Sequence, residues 1–190
     1  LGPLGCGYVT GSGTVFNTLK PEPGSTIAVT GTGAVGLAAM MAGKISGCTK
    51  VIAIDRVPER LNLAKELGAT DAINTHDEDM VKAIQKLTDG KGVDYIVDTT
   101  GVTKVMEDAI QALAQGGVLA AIAVTAQHID VNTWNDLCPA DRTIVGVNMG
   151  DSIPQVDIPR LIEFYKLGMF DFDKTEKFYD FDQINEANAD

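Results

Sequence analysis

The chain has 190 residues, of which 45% are hydrophobic and 22% charged, and a formal charge of −11. That composition belongs to a folded globular chain able to bury one substantial core, not to a disordered one. A surplus of carboxylates repels phosphate backbones, so nucleic acid is excluded as a partner.

The opening stretch, "LGPLGCGYVTGSGTVF", packs five glycines and Cys6 ahead of the first strand. Residues 1–24 read as an entry helix and linker, because "LKPEPGS" supplies prolines and a glycine that stop a helix. "TIAVT" (26–30) is a β-branched, apolar strand, followed by a glycine turn and the buried helix "AVGLAAMMAGKIS". "KVIAID" (50–55) is the second strand and "VPERLNLAKELGA" the second helix, with its proline harmless in the first turn and Gly68 at its stop.

"DAIN" (71–74), "VDYIVD" (93–98), "GGVLAAIAV" (116–124) and "RTIVGV" (142–147) read as strands three to six. The intervening helices are "EDMVKAIQKLT" and "TKVMEDAIQALA"; "IPRLIEFYKLG" is a last amphipathic helix and "FDQINEANAD" begins another. Strands alternating with helices across short connections force parallel pairing, and nearly uninterrupted apolar strands imply helices on both faces. The expectation is an α/β Rossmann fold: one doubly wound, six-stranded parallel sheet of order 3-2-1-4-5-6 over residues 1–190.

Within "TIAVTGTGAVGLAAM", Gly31, Gly33 and Gly36 form G-x-G-x-x-G between a strand and a helix, the context that gives this spacing meaning. Gly31 permits the turn, Gly33 lets backbone approach a pyrophosphate, and Gly36 lets the helix pack close to the sheet. The amides of Thr32, Gly33, Ala34, Val35 and Gly36 then face the phosphates at the positive end of the helix. Asp55 ends the second strand roughly 20 residues on, where a carboxylate accepts hydrogen bonds from the adenosine ribose. That carboxylate would repel a 2′-phosphate, which favours NAD, although Arg56 beside it has the chemistry to pair with one.

Cys6, Cys48 and Cys138 are too few and too widely spaced for a disulfide framework or a CxxC knuckle. His76 and His128 stand alone in polar stretches and read as solvated. No apolar run approaches the ~20 residues of a membrane span and no basic segment leads into an apolar one, so a cytoplasmic protein is expected.

"LGCGYVTGSGTVFNTLKPEPGSTIAVTGTGAVGL", continued by "VIAIDRVPERLNLAKELGATDAIN", "GVDYIVDTTG" and "ALAQGGVLAAIAV", resembles the zinc-dependent alcohol dehydrogenases of the medium-chain dehydrogenase/reductase superfamily. "LGPLGCGYVTGSG" is most similar in character to their aryl (benzyl) alcohol branch. The resemblance implies that Cys6 is one ligand of a catalytic zinc. Thr10 and Val35 would flank the nicotinamide, and Arg60 would lie near the adenosine ribose. Thr99, Thr100 and Gly101 would line the adenine and ribose crevice, and Ile122, Ala123 and Val124 would offer backbone groups to the carboxamide.

It also implies that the remaining zinc ligands lie in an upstream catalytic domain and that residues 177–190 begin the return to it. The chain then reads as an excised cofactor domain, inactive alone, of an enzyme passing hydride from an alcohol to NAD. The edge strand 142–147 is apolar and invites a homodimer. Two alternatives stand beside this: an NADP-dependent, zinc-free quinone or enoyl reductase of the same superfamily, and a non-catalytic NAD-sensing module.

Overall fold

The computed structural model describes residues 2–189; Leu1 and Asp190, the outermost residues of the expected domain, lie outside the described residues. Among the described residues, β1 (Thr26–Thr30), β2 (Lys50–Asp55), β3 (Asp71–Asn74), β4 (Val93–Asp98), β5 (Leu113–Ala121) and β6 (Thr143–Gly146) form one sheet. Its order is β3-β2-β1-β4-β5-β6 and every pairing is parallel, the expected doubly wound sheet.

Alternation along each strand feeds two cores. Ile27, Val29, Val51 and Ala53 face one side, where they meet Leu37, Met40 and Met41 of α2 (Ala34–Ile45) and Leu61 of α3 (Pro58–Glu66). Ala28, Ile52 and Ile54 face the other, against Ala83 and Ile84 of α4 (Met80–Leu87) and Ala109 and Ile110 of α5 (Thr103–Ala112). A strand buried on both faces has no polar side to show, which is why the central strands read as unbroken apolar runs.

The opening segment forms α1 (counted here as Gly7–Gly13), preceded by a 3₁₀ turn and continued by a π-helical stretch to Leu19. Its glycines have a packing reason. A side chain at Gly11 would overlap the Val35 carbonyl oxygen, and one at Gly13 would overlap the Gly150 carbonyl oxygen. Small residues there let α1 lie against the first turn of α2 and against the loop that follows β6. Tyr8 is buried in the same helix, packed edge-on to Phe170.

Two expected elements move. Strand five was expected over 116–124, but β5 runs from Leu113 to Ala121. Leu113 pairs with Val93, pairing resumes only at Tyr95 with Val118, and Gly116 adopts φ +73° within the resulting bulge. Arg142 donates through Nη2 to the Leu113 carbonyl at 2.8 Å. A glycine pair read as a strand start is therefore the kink inside a longer strand. The last amphipathic helix, expected from Ile158, is α6 (Pro154–Lys166) and begins four residues earlier. Pro154 sits in its first turn, and the Asp157 carboxylate accepts the Ile153 N–H at 2.8 Å, so Pro159 lies inside the helix instead of opening it. After a 3₁₀ turn closed by a capping box between Asp180 and Gln183, α7 (Ile184–Ala189) ends the described chain as expected.

Among the described residues no helix is long and apolar enough to cross a membrane.

Candidate dinucleotide site

Two crevices open at the carboxyl ends of the strands, where an open α/β sheet binds ligands. One, of about 460 Å³, is lined by Gly31, Gly33, Asp55, Arg56, Arg60, Thr99 and Thr100, with Thr30, Ile54, Thr75, Val102 and Val105 completing its wall. The other, of about 430 Å³, is lined by Cys6, Thr10, Gly33, Ala34, Val35, Gly36, Thr99, Ile122, Ala123 and Val124, together with Val147, Asn148 and Met149. Gly33 and Thr99 belong to both, so the two volumes meet over the glycine turn. A further cavity of about 550 Å³, lined by Thr26, Lys50, Thr88 and Asp94, lies at the opposite, amino ends of the strands. It lacks both the glycine turn and a helix N-terminus aimed into it.

The glycine turn has the geometry a diphosphate needs. Gly31 takes φ +84°, a backbone conformation open to glycine, and its N–H reaches the Ile54 carbonyl at 2.8 Å. Nothing lies within 4 Å of the position a side chain at Gly33 would fill, so backbone there is open to a ligand. Gly33 caps α2 without a side-chain hydrogen bond, and the first turn of α2 carries no acidic residue. The first turn of α2 thus presents N–H groups and its positive dipole end with no acidic side chain of its own, the Asp55 carboxylate taking only the Thr32 N–H ahead of it. The residues present fit a dinucleotide diphosphate.

Asp55 is 9% exposed and bonded on both oxygens. Oδ2 accepts the Thr32 N–H at 2.7 Å and the Thr32 hydroxyl at 2.9 Å. Oδ1 accepts the N–H groups of Arg56 at 2.7 Å and Val57 at 3.1 Å. Burial alone would push its pKa up, but these four donors outweigh burial and hold it below the usual carboxylate value. A carboxyl whose folded pKa is depressed adds stability above its unfolded value near ~3.9, and loses it as pH falls through the folded one. Urea unfolding midpoints should therefore drop on acidification below about pH 4, and Asp55→Asn should flatten that part of the curve.

Sequence reasoning missed three features. Asp98, at the end of β4, is fully buried and accepts hydrogen bonds from the Thr30 and Thr100 hydroxyls at 2.6 and 2.7 Å and from the Gly101 N–H at 3.0 Å. It shapes the turn in which Thr99 lines both crevices and Thr100 the first, while the predicted Gly101 lines neither; an aspartate closing an apolar strand before Thr-Thr-Gly was the available signal. Val147–Met149 follow β6 at the carboxyl end of the sheet, so the open-sheet rule points to them too. Met149 takes φ +51°, and the Thr10 hydroxyl approaches its sulfur at 3.8 Å. The third is the bond from Thr32 to Asp55, which no sequence pattern announces.

Cys6 is exposed at the rim of the second crevice, whereas burial pushes the Cys48 thiol up to about 11 and leaves it chemically quiet. Among the described residues no three His, Cys, Asp or Glu side chains gather where they could hold a metal ion. Cys6 alone does not make a zinc site, and His76 and His128 are exposed, as expected.

A family model described as zinc-binding dehydrogenase matches residues 34–166. The chain is 40% identical over 98% of its length to a geraniol dehydrogenase of Castellaniella defragrans, covering 50% of that protein. It is 35% identical over 97% of its length to alcohol dehydrogenase 1 of Pisum sativum, covering 49% of that one. Among solved structures, an alcohol dehydrogenase zinc-binding domain protein from Burkholderia ambifaria superposes over the whole chain with a TM-score of 0.96 at 45% identity, covering 51% of that chain. The benzyl alcohol dehydrogenase of Acinetobacter calcoaceticus gives 0.92 at 43%, again over the whole chain and 52% of the other. The chain spans about half the length of these relatives.

Proposed function

The chain belongs to the zinc-binding dehydrogenase family, as a cofactor-binding domain of the zinc-type alcohol dehydrogenases, and from that premise we propose that it holds NAD for hydride transfer from a primary alcohol, aryl or otherwise. The observation that carries this reading is the junction of two crevices over Gly33, with a carboxylate in one and Cys6 at the rim of the other. Asp55, Arg56 and Arg60 would hold adenosine in the first crevice, with Thr99 and Thr100 on its far wall. The amides of Gly33 to Gly36 would hold the diphosphate; the Thr32 amide, expected from the sequence to join them, is instead taken by the Asp55 carboxylate. The nicotinamide lies in the second crevice, flanked by Val35 and Thr10, with its carboxamide toward Ile122–Val124 and Val147–Met149.

Bound NAD supplies the chemistry, accepting a hydride at ring carbon C4. The chain's own residues supply position. Val35 and Met149 would confine the ring and exclude water, and the glycine turn would anchor the phosphates so that the ring is held in place for transfer. Cys6 would offer one thiolate to a catalytic zinc, the other ligands coming from outside the described residues. Similarity to the benzyl alcohol and geraniol dehydrogenases supports the alcohol class. In the same reading, a cytoplasmic homodimer forms through the exposed edge of β6. Residues 2–24 and 177–189 connect to a catalytic domain, and the exposed Phe178 and Phe181 are surface for it. Without that domain the chain turns nothing over.

Asp55 decides the cofactor. A 2′-phosphate beside a buried carboxylate is a like-charge contact worth several kcal/mol, so NADH should bind more than about tenfold tighter than NADPH. Asp55→Ala should narrow that gap. Calorimetry with both nucleotides measures it; equal affinities for the unmutated protein would overturn the assignment to NAD.

A further inference from the structure

The turn after β6 holds three consecutive residues in the left-handed region: Met149 at φ +51°, Gly150 at +66° and Asp151 at +46°. Only the middle one is a glycine. For the other two that backbone is strained, and it persists only where the surrounding structure over-determines it. Here the surroundings come from the opening helical segment. Gly150 lies so close to it that a side chain there would meet the Val9 and Thr10 carbonyl oxygens at 2.4 and 2.7 Å. Ser152, just beyond the turn, donates its hydroxyl to the Val9 carbonyl at 3.0 Å. The Asn17 side-chain amide donates to the Gly150 carbonyl at 3.1 Å and reaches the Asp151 carbonyl at 3.4 Å. The Thr18 hydroxyl donates to the Asp151 carboxylate.

The two ends of this turn serve different places. Met149 lines the second crevice, whereas Asn17 and Asp151 line a small hollow of about 230 Å³ that shares no lining residue with it. Asn17 therefore acts on a ring bound in the crevice only through the turn. Resting on the reading that this crevice takes the nicotinamide, we infer that Asn17 is a positioning residue: its amide holds the strained turn, and the turn holds Met149 against the ring. The choice of side chain follows from its partners, since two carbonyls need donors and one carboxamide NH₂ supplies both. Without that clamp Met149 and Asp151 relax toward ordinary negative φ, and the Met149 wall of the crevice goes with them. The adenosine crevice contains none of these residues and is left as it was.

ADP-ribose carries the adenosine, both phosphates and the second ribose of the dinucleotide, but no nicotinamide. Calorimetry on Asn17→Ala should find NADH bound about tenfold weaker than by the parent and ADP-ribose bound equally. The emission of bound NADH, which reports the surroundings of the reduced ring, should shift toward that of the free nucleotide. A residue of purely structural importance would weaken both ligands together. Met149→Ala changes an exposed side chain and leaves the clamp intact. It should show the same selective loss of NADH, which tests the inference even if the Asn17 variant does not fold. Parent-like NADH binding by either variant, or equal weakening of both ligands, would overturn the inference while leaving the assignment to NAD standing. A parent that binds ADP-ribose as tightly as NADH would overturn the placing of the nicotinamide as well.

Discussion

Asp98→Ala should be among the most damaging single changes in the molecule, lowering the unfolding free energy by roughly 3 kcal/mol. The side chain is 0% exposed and sits where β4 ends beside β1. Its oxygens accept the hydroxyls of Thr30 and Thr100 and the N–H of Gly101. Thr100 is exposed and turns to water when the carboxylate is gone, whereas Thr30 and Gly101 are buried and are left with orphaned donors. Each orphan costs about 1–3 kcal/mol, and relief of the buried charge offsets part of the sum.

The loss is local as well as global. The Thr99 hydroxyl reaches the carbonyl oxygens of Thr30 and Gly31, so the loop that Asp98 shapes is tied to the glycine turn. A variant that still folds should have lost dinucleotide affinity too. Denaturant unfolding measures the first effect and calorimetry the second. A parent-like unfolding midpoint would mean that the threonines find other partners.

What could be read in the sequence follows from how far each feature depends on distant residues. The bounds of β1 to β4 match the expected runs, and for β1 and β2 the reason is burial on both faces, which leaves their interiors apolar. The glycine turn and Asp55 were legible for a similar reason: a tight turn, a close approach and a ribose acceptor each require a residue type at a local spacing. The start of β5 was not, because Gly116 and Gly117 look the same in a turn and in a bulge, and only the register against β4 tells them apart. The start of α6 was hidden by a second proline whose tolerance depends on Pro154 and Asp157 opening the helix before it. Asp98 was signalled only by its place before Thr-Thr-Gly and the Thr32 hydroxyl not at all, because their roles are made by residues far along the chain. Asp98 joins β4 to β1 and Thr32 joins the glycine turn to β2.

Two alanines in the glycine turn should separate packing from binding. Gly36→Ala places a methyl group against the Gly31 carbonyl oxygen, inside hard contact, and at 3.2 Å from Val29 Cγ1. Helix propensity favours alanine over glycine by about 1 kcal/mol, but this neighbour is backbone at a tight turn and cannot give way cheaply. Overpacking should prevail by roughly 3 kcal/mol, the upper part of its usual range, lifting α2 from β1 and lowering the unfolding midpoint. Gly33→Ala is the converse. Its φ is −76° and nothing lies within 4 Å of the added methyl, so the fold should be untouched or slightly stabilised. The methyl group instead enters the space over the turn where the two crevices meet, and NADH binding should fall by about tenfold or more while the unfolding midpoint holds. Unfolding and calorimetry on the pair give a crossed pattern, stability lost at Gly36 and affinity lost at Gly33. A Gly33→Ala protein that binds NADH as the parent does would mean that no diphosphate lies on this turn.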